Sequence, residues 1–400
     1  MRLHSGSLYW PETKTDEKKT YPALEETITC DVLIIGGGMA GALCAEEFSH
    51  TSLKTVLVEK NSIGSGSSSA NTGLLQYSND KMLHEFIEEI GEDKAVQFYK
   101  LCLEAIEELQ QVTGTLAHPV DFIRRPSLYY ASDENDAAKI KKEYDALYKH
   151  GFEVEYYDKE KISEVFGFEK PAAIMTHGDA EVNPYLLTHA LIETANIRNV
   201  EVYENTAVQD AGREEEYHLF KSEKGVIRAK KVIYSTGYET VPFAEKLGAE
   251  INRTYAIATN PINELADWTY QALIWETKRP YFYMRTTVDG RIVAGGLDED
   301  KMETPVDEAF IKERGERLLN HIKKHFSLED LEVSHAWAAC FGESNDGLPF
   351  IGEHPDKKDV YYCLGFGGNG TVSSKVGAKL LAGLIQGEEA DGSEIVRLDR

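Results

Sequence analysis

The stretch Asp31–Gly41, DVLIIGGGMAG, decides the fold of this 400-residue chain. Its apolar run is typical of a buried strand, and the glycines that follow stand in G-x-G-x-x-G register at Gly36, Gly38 and Gly41. In that register the first glycine allows a tight turn, the second lets the backbone approach a pyrophosphate, and the third lets helix and strand pack closely. The segment therefore predicts a strand–turn–helix unit that binds a dinucleotide.

The residues after this stretch complete a βαβ unit. An alanine-rich helical segment extends to about Ser49, and a second apolar run, Thr55–Val58, leads into Glu59. A carboxylate there can accept hydrogen bonds from ribose hydroxyls and would repel a 2′-phosphate, although Lys60 beside it weakens the second point. FAD, NAD and NADP all use such a unit, so the motif leaves the choice among them open.

Composition excludes several partner classes. The net charge is −25, from 43 Lys+Arg and 68 Asp+Glu, and this field repels nucleic acid and anionic membranes. The five cysteines lie far apart without a C-x-x-C pair, so we expect neither a metal site nor a disulfide framework. The N-terminus lacks the layout of a signal peptide. We therefore expect a cytoplasmic protein that acts on small molecules, and the sequence leaves homo-oligomerisation open.

The length predicts two domains after an N-terminal extension, residues 1–29, which Tyr9 and Trp10 would pin to the body. Apolar periodicity predicts helices over about 81–111, 135–150 and 372–385. Strands are predicted at Ile174–Met175, Val200–Tyr203, Ile227–Tyr234, Tyr281–Thr287, Arg291–Ala294 and Val360–Leu364.

Five segments, in order, resemble the D-amino-acid oxidase family of FAD-dependent oxidoreductases, whose members include glycine oxidase, sarcosine oxidase and gamma-glutamylputrescine oxidoreductase. The first, IGSGSSSANTGLLQ, follows Glu59, and the second, HGDAEVNPYLLTHAL, carries Asn183-Pro184. The third, VIYSTGYET, has Ser235 where the family has alanine. The last two are WAACFGESNDGLPFIGEHP and GFGGNGTVSSKVGAKLLAGLI, and the glycine-rich turn of the last would lie against the flavin.

The resemblance implies an α/β fold: a Rossmann-type FAD-binding domain with an inserted α+β substrate domain built on a mixed or antiparallel sheet. We expect residues 30–105, 171–250 and 335–400 to form the FAD-binding domain. The substrate domain would consist of residues 106–170 and 251–334.

It also implies noncovalent FAD and oxidation of the C–N bond of a small amine or amino acid. Hydride passes to flavin N5, the imine hydrolyses, and the electrons go to oxygen or another acceptor. Two alternatives stay open: a FAD-binding electron-transfer subunit of a larger amine or amino-acid dehydrogenase complex, and an NAD-dependent dehydrogenase. No residue is nominated as a catalytic base.

The resemblance assigns the cofactor to four groups of residues. These are Gly36, Gly37, Gly38, Met39, Ala40, Gly41, Glu59 and Lys60; Ser67, Ser68, Ser69, Asn71, Thr72, Gly73 and Leu74; Val208, Thr236 and Gly237; and Gly342, Phe366, Gly367, Gly368, Asn369, Gly370 and Thr371.

The substrate site is expected at an aromatic strand. The resemblance makes Arg285 the residue that grips a substrate carboxylate, because a guanidinium fork matches carboxylate geometry. Met284 stands where the family commonly has proline. Tyr255 and Tyr283 are candidate pocket walls.

Overall fold

The computed structural model describes residues 3–14, 19–240, 247–262, 268–300, 307–326, 328, 330–365, 367–388 and 390–400. Within them the strands are β1 His4–Gly6, β2 Thr27–Ile35, β3 Thr55–Val58, β4 Leu74–Leu75, β5 Ile123–Arg124, β6 Ser127–Tyr130, β7 Val154–Asp158, β8 Ala172–Thr176, β9 Ala180–Glu181, β10 Glu201–Tyr203, β11 Gln209–Glu214, β12 Tyr217–Lys221, β13 Val226–Tyr234, β14 Ala249–Thr259, β15 Leu273–Glu276, β16 Phe282–Thr286, β17 Ile292–Glu299, β18 Val333–Ser344, β19 Phe350–His354 and β20 Lys357–Leu364. The α-helices are α1 Met39–Phe48, α2 Leu83–Ile90, α3 Glu92–Thr113, α4 Ala137–Lys149, α5 Lys159–Phe166, α6 Pro184–Ile197, α7 Glu308–His325, α8 Gly370–Gln386 and α9 Ser393–Val396.

Strand β2 lies inside a parallel layer of the order β10-β3-β2-β13, with β20 parallel to the end of β13. Its residues Val32, Leu33 and Ile34 are fully buried, as expected for a strand covered on both faces. Helices α1 and α8 pack against each other beside this sheet. Because the carboxyl ends of parallel strands share one edge, β2 and β13 deliver the segments after Ile35 and Tyr234 to the same place.

The second sheet has nine strands in the order β1-β18-β14-β17-β16-β15-β6-β8-β7. It is antiparallel except where β15 runs parallel to β6. Helix α7 covers one face through Ile311, Leu318 and Ile322, which belong to the apolar core of this sheet. A third, small sheet joins β4, β9 and β5. The parallel layer and the mixed sheet confirm the predicted fold class.

The N-terminal extension is attached to the mixed sheet. Strand β1 pairs with β18, and Trp10 is 2% exposed and donates a 2.6 Å hydrogen bond to the carbonyl of Asn71. Tyr9 donates to the Asp289 carboxylate at 2.8 Å. The hydrogen bond from Trp10 to Asn71 therefore holds the N-terminal extension, which precedes the dinucleotide unit in the chain, against the segment that follows that unit.

Two expectations need adjustment. The predicted helix over 81–111 is two helices, because Gly91 between them has φ +88°, a conformation that favours glycine. Strand β8 pairs with β6, and β18 pairs with β14, so both belong to the mixed sheet, although the expected division assigned 171–250 and 335–400 to the FAD-binding domain. The domain boundaries stay a prediction.

In the described part of the chain, no helix is both long enough and apolar enough to span a membrane.

Candidate active site

The turn between β2 and α1 has the geometry that its glycines predict. Gly36 has φ +114°, and a Cβ there would lie 2.5 Å from the Ser235 carbonyl oxygen. A Cβ at Gly41 would lie 1.8 Å from the Gly36 oxygen, so only glycine fits. Gly38 is the residue that precedes α1, and a Cβ there would meet only the Ser68 hydroxyl, at 3.2 Å. Space beside Gly38 is therefore open toward the positive end of α1.

Glu59 is held in place by backbone donors. Its two carboxylate oxygens accept hydrogen bonds from the Gly37 N–H at 2.8 Å and the Asn61 N–H at 2.7 Å. Lys60 pairs with Glu239 at 2.5 Å. Because each oxygen keeps a further lone pair, the carboxylate can still accept from ribose hydroxyls.

A long cavity, here called the nucleotide cavity, lies along this edge of the parallel sheet. Its empty space is about 1640 Å³, open mouth included. The predicted cofactor residues that line it are Gly36, Gly38, Met39, Ala40, Glu59, Lys60, Ser67, Ser68, Asn71, Val208, Thr236, Gly237, Gly370 and Thr371.

A second cavity, here called the inner cavity, lies between the start of α8 and the mixed sheet. It shares Ser67, Asn71, Tyr238 and Gly370 with the nucleotide cavity, so the two spaces are adjoining. The other predicted cofactor residues on its walls are Thr72, Leu74, Gly367, Gly368 and Asn369.

Five predicted cofactor residues line neither cavity and instead support the loops. Gly41 packs on Gly36, and the Gly37 N–H binds Glu59. The Ser69 hydroxyl donates to the Gly66 carbonyl, a Cβ at Gly73 would meet the Val182 carbonyl, and the Gly342 carbonyl accepts from Gly367. Phe366 lies outside the described residues.

The residues present fit a dinucleotide-type cofactor. The Ser67 hydroxyl is buried without a hydrogen-bond partner among the described residues, and Ser67 lines both cavities. Helix α8 begins at Gly370, so its free N–H groups face the junction of the cavities. A buried polar atom without a partner and two helix N-termini are features that a ligand with phosphates and a polar ring would satisfy.

Of the two tyrosines proposed as pocket walls, only Tyr283 lines the inner cavity. Tyr255 was predicted on the wrong face: its neighbours Thr254 and Ala256 line the cavity, while its own hydroxyl donates to Glu299 at 3.1 Å. Side chains alternate along a strand, so Tyr255 belongs to the core under α7.

Arg285 does not lie where the resemblance placed it. It is 2% exposed and lines neither the nucleotide cavity nor the inner cavity. Its guanidinium donates to the carbonyls of Thr72, Val182 and Thr286 at 2.8, 2.8 and 3.0 Å. Among the described residues it forms an ion pair with Glu181 alone, at 3.7 Å. In this arrangement Arg285 ties three loops together, and its contact with a substrate carboxylate stays a prediction.

Several cavity residues were not predicted. The nucleotide cavity includes Leu3 and His4 from the extension, and the inner cavity includes Asp80, Asp298 and Cys340. Trp337 and Phe341, which flank Cys340 in the fourth family-like segment, also line the inner cavity. Of these residues, Trp337, Cys340 and Phe341 could have been found from the sequence, because they belong to the fourth family-like segment. The others are brought in by strand pairing between distant segments.

The carboxylates near the inner cavity have perturbed protonation. Burial raises the pKa of Asp298 to about 6, and a hydrogen bond from Thr254 partly opposes this. Burial, with the nearby Asp80 charge, raises the pKa of Glu343 to about 7. In the described residues no cluster of three metal-ligating side chains occurs, and the five cysteines are buried free thiols.

Comparison with known proteins agrees with this architecture. The family model for DAO, FAD dependent oxidoreductase, matches residues 31–384. Gamma-glutamylputrescine oxidoreductase of Escherichia coli (strain K12) is 23% identical over 401 aligned residues, which cover 97% of this chain and 90% of that protein. A Bacillus subtilis (strain 168) protein named as a Rieske 2Fe-2S iron-sulfur protein, YhfW, is 24% identical over 389 residues, covering 95% of this chain and 73% of that protein.

Among solved structures, glycine oxidase from Geobacillus kaustophilus is similar to this chain with a TM-score of 0.81 at 20% sequence identity. The alignment covers 94% of this chain and 99% of the glycine oxidase chain. At that identity the likeness shows the shared fold.

Proposed function

Because the chain belongs to the DAO family of FAD-dependent oxidoreductases, we propose that it oxidises the C–N bond of a small amine or amino acid in the inner cavity. Members of this family use FAD, so the alternative of an NAD-dependent dehydrogenase is excluded. The relatives named glycine oxidase and gamma-glutamylputrescine oxidoreductase support an amino-group substrate.

One observation carries this proposal: the nucleotide cavity adjoins the inner cavity at Ser67, Asn71, Tyr238 and Gly370. A group anchored by its phosphates near Gly38 can therefore present its other end to a separate, partly enclosed space. That space is walled by aromatic and small apolar side chains together with polar ones such as Gln76, Ser78 and Thr254, so it can both enclose a small molecule and orient it.

FAD, when bound, supplies the two-electron oxidation of the C–N bond. The chain's own residues bind and orient: the open backbone beside Gly38 and the N-terminus of α1 suit the phosphates, and Glu59 suits a ribose. The start of α8 places a positive helix end at the junction, where negative charge is stabilised.

The walls of the inner cavity exclude water and limit the orientation of a substrate. Trp337 donates to the Ala70 carbonyl at 2.9 Å, and Trp275 stacks on Tyr129 with ring centroids 3.7 Å apart. Both tryptophans are therefore fixed in position. No general base is assigned, because a substrate amine that enters neutral needs none.

The electron acceptor defines a second candidate function. The match to a protein named as a Rieske iron-sulfur protein covers 73% of that relative, so this chain aligns with a part of it. An electron-transfer subunit that passes electrons to an iron–sulfur partner is thus an alternative to an oxidase. We also propose that the protein acts in a reducing compartment such as the cytoplasm, and its free, buried cysteines support this.

The test is anaerobic bleaching of the purified yellow protein by amino acids, N-methyl amino acids and amines. Bleaching by any of them supports C–N oxidation, whatever the acceptor. Readmission of oxygen with formation of hydrogen peroxide identifies an oxidase, and slow reoxidation that an added one-electron acceptor accelerates identifies the alternative. A flavin that no member of the panel bleaches would contradict the proposed function.

A further inference from the structure

The inner cavity has an unusual charge for a site that binds an amino acid. Asp80 and Asp298 are the only charged residues among its described lining residues, and no lysine, arginine or histidine lines it. Its aromatic walls are Trp275, Tyr281, Tyr283, Trp337 and Phe341. A substrate carboxylate placed here would meet like charges and no described cationic partner.

An outer cavity continues from the inner one and shares Asn79, Asp80, Asp298 and Phe341 with it. Its lining adds Glu343, and each of the three cations among its described lining residues already has a carboxylate. Lys81 pairs with Glu89, Lys139 with Glu85 at 3.3 Å, and Arg279 with Asp80 at 3.8 Å.

Neither Asp298 nor Glu343 forms an ion pair in the described part of the chain, although the Arg279 charge is near enough to favour the ionised form of both. No cationic nitrogen of the described residues lies within 4 Å of either carboxylate, and Glu343 accepts a 3.1 Å hydrogen bond from the neutral Asn252 amide. Asp298 lines both the inner and the outer cavity, and Glu343 lines the outer cavity. Carboxylates gathered in this way cost folding energy through mutual repulsion unless a cation joins them.

An independent observation also points to a ligand here. Ser78 is 5% exposed and lines the inner cavity, yet its hydroxyl has no hydrogen-bond partner among the described residues. Buried hydroxyls are rarely left unpaired. Its oxygen can accept a hydrogen bond from an ammonium group.

We propose that the substrate carries a second positively charged nitrogen, and that Asp80, Asp298 and Glu343 bind it at the entrance to the inner cavity. This inference rests on the proposed function and narrows its substrate class to di- or polyamines and their derivatives. Alkylammonium groups are attracted to aromatic faces, so the tryptophan and tyrosine walls suit such a chain. The net charge of −25 also favours the approach of cations.

A matched series of three amines tests this on the FAD-loaded enzyme. 1,4-Diaminobutane, butylamine and 4-aminobutanoate share one amine and a four-carbon chain but end in a positive, a neutral and a negative group. Anaerobic bleaching gives the rate constant of flavin reduction at each amine concentration, and the shift of the flavin absorption spectrum on titration gives Kd. We expect the diamine to bind at least about tenfold more tightly than butylamine, and 4-aminobutanoate to bind most weakly.

Variants locate the effect. Glu343→Gln and Asp298→Asn should each reduce the preference for the diamine over butylamine by about three- to tenfold, while the Kd of butylamine stays within twofold. The control is Asp145→Asn, an equal charge change on an exposed ion pair with Lys141 in α4, which should leave the preference unchanged. Because the readout is a ratio for one protein, partial loss of stability does not imitate it.

The outcomes separate the two proposals. Bleaching by glycine or N-methylglycine but not by the diamine would uphold amine oxidation and overturn the dicationic substrate. Tighter binding of the diamine without bleaching by any compound would uphold the cation site and contradict the oxidation. Equal affinity for all three amines, or an unchanged ratio in both variants, would also overturn this inference.

Discussion

Arg285 and Val182 are joined by a 2.8 Å hydrogen bond from the guanidinium Nη2 to the backbone carbonyl, beneath the loop that carries Gly73. With the hydrogen bonds to the carbonyls of Thr72 and Thr286, all three guanidinium nitrogens donate to the backbone. Arg285 therefore stabilises the loops around the site, and its side chain lines neither the nucleotide cavity nor the inner cavity.

Arg285→Met should destabilise the protein. The change removes these bonds and leaves Glu181, which is 1% exposed, with one arginine fewer. Breaking a buried pair typically costs about 3–5 kcal/mol. We expect Tm to fall by roughly 6 °C or more, while the KM of any substrate that bleaches the flavin changes less than twofold.

The matched control is Arg317→Met, whose exposed side chain lies 3.8 Å from Glu313. Its Tm should stay near that of the wild type, because surface pairs contribute little. A KM for a carboxylate-bearing substrate that rises tenfold at unchanged Tm would restore Arg285 as a substrate ligand.

Gly38→Val tests the placement of the cofactor. The protein itself offers little obstacle to a side chain at Gly38, whereas phosphates held at the start of α1 would. We expect a folded protein, by circular dichroism, that purifies with less than about a tenth of the wild-type flavin. Gly41→Ala is the contrast, because its Cβ would meet the Gly36 oxygen at 1.8 Å and disrupt the fold itself. Normal flavin content in Gly38→Val would show that the phosphates lie elsewhere.

The sequence predicts local features of this molecule well. The strand, turn and helix around Gly36 and Gly41 follow from residues within ten positions of one another, and the structure has them as expected. Tyr255 shows the limit: strand formation was visible in the sequence, but which face meets the cavity depends on pairing with β17 and β18.

The acidic entrance could not be predicted for the same reason. Asp80 lies before α2, Asp298 near the end of β17 and Glu343 near the end of β18, and no periodicity connects them. Arg285 has the strand parity of Tyr283, which lines the cavity, yet the segment around Thr72 and Gly73 lies against it. A pattern along one strand does not reveal the loop that covers its end.

The flavin is predicted to be noncovalent. Cys340 lines the inner cavity and Cys363 the nucleotide cavity, and both are at most 2% exposed. The contact with Cys44, together with burial, raises the pKa of the Cys363 thiol, so this thiol stays protonated and weakly nucleophilic. Acid precipitation should leave the flavin in the supernatant. A yellow pellet from the wild type that turns colourless in Cys340→Ser would instead show a thioether at that residue.

Glu343→Gln should stabilise the FAD-loaded protein at alkaline pH, and the gain should grow with pH. In the unfolded chain the carboxyl loses its proton near its ordinary pKa of 4.5, whereas burial, with Asp80 and Asp298 nearby and Arg279 opposing, raises its folded pKa to about 7. Between these values the folded state holds a proton that the unfolded state has lost, so stability falls as pH rises and the penalty is complete above pH 7.

Thermal unfolding at several pH values should therefore show equal Tm for wild type and variant near pH 4.5 and a higher variant Tm at pH 8, by roughly 1–3 °C. Glu88→Gln, an exposed carboxylate on the same rim, is the control and should show a pH-independent difference. A Tm gain for Glu343→Gln that is the same at pH 4.5 and pH 8 would mean that Glu343 is ionised normally in the folded protein, and its repulsion from Asp80 and Asp298 would then be negligible.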